Sequence, residues 1–270
     1  MTSIRPPAVA GIFYPADARQ LAHDVQTYLA ETAALVALTP KALIVPHAGY
    51  IYSGAIAASA YAALKGIAPR IRRVVLLGPT HRFAVQGLAL PDADAFDTPL
   101  GRIPLDKEAV RAISDLPQVD VSSAAHEQEH SLEVQLPFLQ NVLEDFTLLP
   151  LAVGMATPEE VAEVLEIVWG GDETLIVISS DLSHYLPYAA AQIVDAKTAD
   201  DIIHLRQPIG HEQACGGTPI SGLLIAARKH HLQPHLLDLR NSGDTAGSRD
   251  RVVGYAAFAF VEEENDRVQY

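Results

Sequence analysis

The sequence has little cysteine and no long apolar run. Cys215 is the only cysteine among 270 residues, so no disulfide can form within the chain. A single free thiol is typical of proteins from a reducing compartment. No apolar stretch approaches the length of a bilayer span, and the N-terminus lacks the basic and apolar regions of a signal peptide. We therefore expect a cytoplasmic protein that does not cross a membrane.

Positive charge is also scarce. The chain has 19 Lys and Arg residues against 33 Asp and Glu residues, which gives a formal net charge of -14. A surface of this sign repels polyanions, and no basic run is present to displace their counterions. We therefore expect no nucleic-acid partner. A hydrophobic fraction of 49% with 19% charged residues predicts a folded globular protein.

Apolar strand-like runs alternate with helical patterns along the chain. The strand-like runs cover 41–46, 73–78, 147–153, 174–179, 235–239 and 252–261. Apolar residues recur at helical spacing over 20–35, 53–64, 106–113, 131–143, 158–169, 189–205 and 219–230. This alternation predicts an α/β fold with a mainly parallel central sheet and helices on both faces. No repeat or linker interrupts it, so we predict a single domain over residues 1–270.

Polar side chains follow three of the predicted strands. His47 lies in VPHAGYIYSG after the first strand, His81 follows VVLLGPT, and Asp181 and His184 follow LIVISS. Open α/β sheets bind their ligands at the edge formed by the carboxyl ends of the strands. The repeated placement favours a functional site over isolated core histidines.

Cys215 precedes the last predicted helix. Thr218 is a suitable N-cap and Pro219 a suitable first helical residue, so the thiol is predicted to lie beside a helix N-terminus that favours the thiolate. Two imidazoles and one anionic ligand form a common transition-metal site. The sequence leaves two interpretations of Cys215 open, a metal ligand or a buried inert thiol.

Residues 126–130 read HEQEH, which matches zinc-peptidase motifs. In a helix His126 and His130 would share one face, with Glu127 or Glu129 as the base. The segment is polar throughout, which favours the start of a helix, with Glu129 and Glu133 in its first turn. The zinc peptidase is kept as a minor alternative.

Two further segments have more than one interpretation. The loop NSGDTAGSRDR, residues 241–251, is predicted as a surface loop, and the alternatives are closure over the crevice or anion binding through its amides. The run KHH at 229–231 with His235 is predicted as the basic end of a helix rather than a surface metal cluster.

An ordered set of motifs resembles the Memo family. The motifs are RPPAVAGIFYP, VPHAGYIYSG, LLGPTH, FDTPLG, EHSLEVQLPFL, SSDLSHY, ACGGTPI and NSGDTAGSRDRVVGYAAFAF, from Arg5 to about Val261. Bacterial and archaeal members are often labelled protein B of the AmmeMemoRadiSam system, which implies a radical SAM partner protein. The family is similar in fold to the type III extradiol dioxygenases, non-heme iron enzymes that open catechol rings.

The resemblance implies a metal site formed by His47, His81 and Cys215. The dioxygenases hold iron with two histidines and a glutamate, and Glu212 is an alternative to Cys215 as the third ligand. A thiolate favours softer or more oxidised metals. The implied cofactor is therefore iron or copper, with zinc as a third option.

The resemblance also implies roles for the other site residues. His184 would act as general acid/base, and Asp181 would orient a ligating imidazole or bind the metal. Tyr52 and His130 would lie beside the substrate. One predicted function is a metal-dependent oxidoreductase acting on a small molecule. The alternative, favoured by cysteine in place of glutamate, is a non-catalytic module that binds metal or a peptide in the same crevice.

Overall fold

The computed structural model describes residues 3–32 and 38–262. Its strands are β1 (Ile4–Arg5), β2 (Pro40–Val45), β3 (Arg73–Pro79), β4 (Leu88–Leu90), β5 (Ala95–Thr98), β6 (Gly101–Pro104), β7 (Val119–Val121), β8 (Thr147–Val153), β9 (Thr174–Ser179), β10 (His184–Leu186), β11 (Leu232–Asn241) and β12 (Val252–Glu262). Its α-helices are α1 (Ala18–Glu31), α2 (Tyr50–Ala62), α3 (Lys107–Ile113), α4 (Ser123–Glu127), α5 (Leu136–Val142), α6 (Pro158–Ile167), α7 (Tyr188–Ile203) and α8 (Gly217–Lys229).

The large sheet has the strand order β10-β12-β2-β9-β3-β8-β4-β7, and β11 also pairs with β12. The central strands β2, β9, β3 and β8 are parallel to one another. β12 is antiparallel to β2, and β4 is antiparallel to β8, so the whole sheet is mixed. The predicted α/β fold and its parallel centre are confirmed, whereas the flanks of the sheet are antiparallel.

Helices cover both faces of this sheet. Along β2, Leu43 and Val45 pack into one apolar cluster with residues of α1, α2 and α5. Ala42 and Ile44 point to the other face, into a cluster with residues of α3, α6, α7 and α8. Burial on both faces explains why these strands are almost continuously apolar. Within the described ranges, no helix combines the length and the apolar character needed to cross a lipid bilayer.

Several element boundaries differ from those predicted. The helix predicted over 131–143 is a 3₁₀ turn at Glu133–Gln135 followed by α5. Pro137 lies in the first turn of α5, where its missing N–H costs no hydrogen bond. The end of the helix predicted over 20–35 falls partly outside the described residues. The short strands β1, β4 to β7 and β10 were not predicted, because so few residues show no clear period.

Candidate metal centre

Parallel strands bring the predicted histidines to one edge of the sheet. His47 follows the end of β2 and His81 follows the end of β3, and β9 lies between these strands with Asp181 after its end. The centroids of the His47 and His81 rings are 5.2 Å apart. The two predicted metal ligands from separate strands therefore meet at the carboxyl edge.

A third histidine, His130, joins this pair. Its ring centroid lies 4.6 Å from that of His81 and 5.4 Å from that of His47. The ligand atoms of the three side chains lie within 4.8 Å of one another, so together they could hold a metal ion. Gly78 allows this approach, because a Cβ there would lie 2.8 Å from the Ser131 Oγ. His130 was predicted beside the substrate, and the structure groups it with the metal-binding histidines.

The hydrogen bonds of Ser179 determine which ring nitrogen of His47 carries the proton. The Ser179 hydroxyl donates its proton to the Ser131 carbonyl at 2.6 Å and lies 2.9 Å from the His47 Nδ1. Because the serine proton is already used, His47 Nδ1–H must donate to the Ser179 oxygen. The Nε2 lone pair of His47 is then left for a metal, a ligand or a proton.

Glu129 orients the His81 imidazole, and it holds His130 through the main-chain N–H of that residue at 2.9 Å. Its Oε1 lies 2.9 Å from the His81 Nδ1 and 3.3 Å from the His130 Nδ1, and its Oε2 accepts the main-chain N–H of His81 at 2.6 Å. A carboxylate on Nδ1 leaves Nε2 for metal binding and raises its basicity. Burial opposes ionisation of Glu129, but hydrogen bonds from His81 and the Ser131 N–H lower its pKa to about 2.

The environment keeps two of the histidines neutral. Burial lowers the pKa of His47 far below its ordinary value, and the nearby rings of His130 and His81 lower it further. Burial likewise lowers the pKa of His130 to about 4, although Glu129 opposes the shift. Neutral imidazoles have the lone pairs that a metal requires. The donor set therefore fits a transition metal that prefers nitrogen ligands.

Cys215 lies at the edge of the three-histidine group rather than within it. Its Sγ is 3.3 Å from the His47 Nε2. The following residue, Gly216, permits the approach to β9, because a Cβ there would lie 2.7 Å from the Cβ of Ser180. Glu212, the alternative third ligand, is exposed and lines a neighbouring pocket outside the three-histidine group.

The predicted N-cap of α8 was wrong, and burial opposes the thiolate that was expected at Cys215. Helix α8 begins at Gly217 with Gly216 as its N-cap, so Thr218 and Pro219 lie inside the first turn. Burial, together with the charge of Asp181, raises the pKa of Cys215 to about 12. The thiol is therefore protonated in the protein without a metal, because desolvation outweighs the favourable helix N-terminus.

Asp181 and His184 lie beside the histidines in different settings. The Asp181 Oδ1 accepts the main-chain N–H of His47 at 2.7 Å, so this carboxyl orients the backbone rather than an imidazole. Burial raises the pKa of Asp181 to about 7. His184 Nδ1–H donates to the Leu182 carbonyl at 2.8 Å, which leaves its Nε2 free. Burial lowers the pKa of His184.

Two cavities meet at this centre. One, of about 620 Å³, is lined by His47, His130, Tyr52 and Asp181 among others. The second, of about 920 Å³, is lined by Cys215 and several apolar side chains. His81 and His184 line both cavities. A molecule in either cavity could therefore reach the histidines.

The zinc-peptidase alternative is wrong for HEQEH. Helix α4 ends at Glu127, so His126 and His130 do not share a helical face. The His126 ring is buried, its Nε2 lies 2.8 Å from the Ala89 carbonyl, and it contacts the Phe96 ring. His126 is a core residue, and only His130 reaches the metal-binding group.

Glu133 holds the N-terminal segment instead of capping a helix. Its carboxylate pairs with Arg5 and accepts the main-chain N–H groups of Ala8 and Val9 at 2.8 and 3.0 Å. Arg5 also donates to the carbonyl of Glu129 at 2.6 Å. The pair therefore supports the segment that places Glu129 and His130.

The two remaining segments can also be assigned. In the loop over residues 241–251, Ser242, Gly247, Ser248 and Arg251 line the smaller cavity, so the loop borders the crevice and is more than a plain surface loop. In the KHH segment, the His230 ring stacks on Trp169 and lies within hydrogen-bond distance of Glu166. These contacts are not a metal-binding arrangement.

Sequence reasoning missed the roles of Glu129 and Ser179. Glu129 was assigned to a helix turn, although it directly precedes His130. Ser179 is the last residue of β9 and the first residue of the SSDLSH motif, and this position was the available signal. Neither hydrogen bond could be predicted, because each joins segments distant in sequence.

Comparison with known proteins agrees with the motifs. The sequence model of the family described as Memo-like protein matches residues 5–259. The chain belongs to the Memo family.

Relatives of the Memo-family chain match over nearly their whole length. A MEMO1 family protein from Methanosarcina barkeri (strain Fusaro / DSM 804) is 36% identical over 268 residues, covering 94% of this chain and 98% of that protein. One from Aquifex aeolicus (strain VF5) is 35% identical over 274 residues, covering 96% and 99%. The crystal structure of an uncharacterized protein from Escherichia coli K12 has a TM-score of 0.50 at 14% identity, covering 79% of this chain and 98% of that one. This last likeness concerns the fold alone.

Proposed function

We propose that this Memo-family protein binds a transition metal, iron or copper with zinc as a third option, at the carboxyl edge of its sheet. His47 and His81 supply two of the ligands. The observation that carries the proposal is the convergence of His47, His81 and His130, whose ligand atoms lie within 4.8 Å of one another. The hydrogen bonds of Ser179 and Glu129 support it, because each leaves an imidazole Nε2 free.

Two side chains compete for the third ligand position. His130 belongs to the geometric group and is held by Glu129. Cys215 has its Sγ 3.3 Å from the His47 Nε2, and ligands of one tetrahedral metal are separated by a similar distance, about 3.5 Å. As a ligand, the Cys215 thiol would release its proton to solvent and bind the metal as a thiolate. The variants His130→Ala and Cys215→Ser distinguish the two ligand sets.

We further propose that the protein is an oxidoreductase, which would use this metal to act on a small molecule. Iron or copper would supply redox or oxygen chemistry when bound, whereas zinc would not. His184 lines both cavities and has a free Nε2, so it is placed to accept a proton from a substrate hydroxyl. Tyr52 lines the smaller cavity and would contact the same substrate.

Elemental analysis of anaerobically purified protein tests metal binding. Wild type is expected to contain stoichiometric metal, and His47→Ala and His81→Ala to contain none. Loss in Cys215→Ser with retention in His130→Ala identifies the thiolate set, and the reverse identifies the three-imidazole set. Wild type that binds no metal after anaerobic loading would refute the proposal.

Oxygen uptake by iron-loaded protein with a panel of catechols tests catalysis. His184→Gln is expected to abolish uptake while metal content is unchanged, because the residue acts on the substrate rather than on the metal. Metal-loaded protein that consumes no oxygen with any substrate would favour the alternative of a non-catalytic binding module.

A further inference from the structure

The loop between β11 and β12 places one arginine at the smaller cavity. Arg251 lines this cavity together with His47, His81 and His130. Its guanidinium lies 5.2 Å from the centroid of the Tyr185 ring. Within residues 3–32 and 38–262, no carboxylate forms an ion pair with Arg251. Its positive charge is therefore available to a ligand in the cavity.

The Tyr185 ring contacts this guanidinium. The backbone of this tyrosine has φ 58°, an uncommon conformation for a bulky residue, and 62% of its surface is exposed. The ring also lies 5.8 Å from that of His184, so it contacts both the arginine and the proposed acid/base. Stacking on an aromatic face orients the planar guanidinium without using its donors. The contact therefore favours an orientation of the guanidinium that leaves its donors available to a ligand.

Arg251 brings positive charge to a cavity of an acidic protein. The chain has a net charge of -14, yet Arg251 brings a permanent positive charge to this wall. Asp181 has the one carboxyl group among the described lining residues, and its Oδ1 accepts a hydrogen bond from the main-chain N–H of His47. A metal at the histidines would add further positive charge. A local positive field in an acidic protein attracts small anions to this cavity.

We propose that Arg251 binds the carboxylate or phosphate group of a small-molecule substrate whose other end lies at the three histidines. Guanidinium donors match either group with two parallel hydrogen bonds. The Ser248 side chain lines the same wall, and its hydroxyl offers an additional donor. The location of the reacting end rests on the proposed function, whereas anion binding by Arg251 does not.

Arg249 provides a matched control in the same loop. Its guanidinium lies 4.4 Å from the centroid of the Tyr188 ring, an arrangement similar to that of Arg251 on Tyr185. It differs in having an acidic partner, Asp244, at 3.9 Å and in lying outside the lining of the cavity. Substitution of Arg249 therefore removes the same charge from the loop without removing the proposed contact.

Calorimetric titration with benzoate, phenyl phosphate and the neutral benzamide tests the proposal. For wild type, at least one of the two anions is expected to bind more tightly than benzamide, and the tighter anion identifies the preferred headgroup. Arg251→Gln is expected to weaken that anion's binding by about tenfold or more and to leave benzamide unchanged. Arg251→Lys is expected to retain part of the affinity, and Arg249→Gln nearly all of it.

Three results would overturn the inference. They are equal binding of anions and benzamide by wild type, equal losses in Arg251→Gln and Arg249→Gln, and loss of metal from Arg251→Gln. Metal content, measured on the same samples, separates this inference from the proposed function. Wild type that binds no metal but needs Arg251 for anion binding would refute the metal centre and support the anion site.

Discussion

The two edges of the central sheet differ in the polar side chains that line their cavities. At the amino edge, a cavity of about 680 Å³ is lined by charged residues of both signs, and Arg73 pairs there with Asp106 at 2.5 Å. At the carboxyl edge, the ligand atoms of His47, His81 and His130 converge within 4.8 Å of one another. The cavities differ little in size, so the convergence of imidazoles, rather than volume, distinguishes the carboxyl edge.

The largest expected effect is loss of metal on removal of a ligand from the carboxyl edge. His81→Ala removes one of the converging imidazoles, and metal content should fall to background because two remaining donors bind weakly. Elemental analysis after anaerobic loading is the measurement. His230→Ala, which removes a histidine outside the group, should retain its metal. Metal retained by His81→Ala would contradict the assignment.

A smaller effect is expected when the orienting carboxylate is changed. Glu129→Gln removes the charge that faces the Nδ1 atoms of His81 and His130, and should weaken metal affinity by about 10- to 100-fold. Competition with a chelator of known affinity measures the change. Glu133→Gln is the control, since this buried glutamate binds Arg5 instead of a histidine. It should lower thermal stability more than metal affinity, and equal affinity losses in both variants would refute the distinction.

Ser179→Ala should have a still smaller effect on metal affinity, about tenfold or less, because one neutral hydrogen bond to His47 is lost. The same chelator competition detects it. Ser221→Ala is a suitable control, because the Ser221 hydroxyl is also buried and bonds Ile209 and Gly217. Both variants should lose stability, and only Ser179→Ala should lose metal affinity. An unchanged affinity in Ser179→Ala would argue against the assigned role of this hydroxyl.

The smallest effect is expected at the amino edge. Arg102→Gln breaks a solvent-exposed pair with Asp97, which should change the free energy of unfolding by about 1 kcal/mol or less. Metal content should be unchanged. Thermal unfolding and elemental analysis check both statements. A loss of metal in this variant would contradict the claim that metal binding depends on the carboxyl edge alone.

The sequence predicted the part of the site that depends on strand ends. His47, His81 and Asp181 follow strands of the parallel centre, and parallel strands necessarily align their carboxyl ends. The position of His130 depends instead on the close packing of its segment against Gly78, which no local pattern encodes. The ionisation of Cys215 depends on burial and on the neighbouring Asp181, so the preference for a helix N-terminus was an insufficient guide.

The fold, like the site, has parts that the sequence predicts and parts that depend on long-range packing. The long buried strands and most helices were predicted because their apolar residues repeat with a clear period. The antiparallel pairing of β12 with β2 was not predicted, because a continuously apolar strand does not indicate its direction. The 3₁₀ turn before α5 was missed although Pro137 lay within the predicted helix. Long-range pairing and local backbone chemistry thus account for the differences.

The most direct test of the account is metal analysis of anaerobically purified wild type beside His81→Ala and Arg102→Gln. We predict stoichiometric iron, copper or zinc in wild type and Arg102→Gln, and none in His81→Ala. Absence of metal from wild type after anaerobic loading, or equal metal in all three proteins, would contradict the claim that the carboxyl edge is a metal centre.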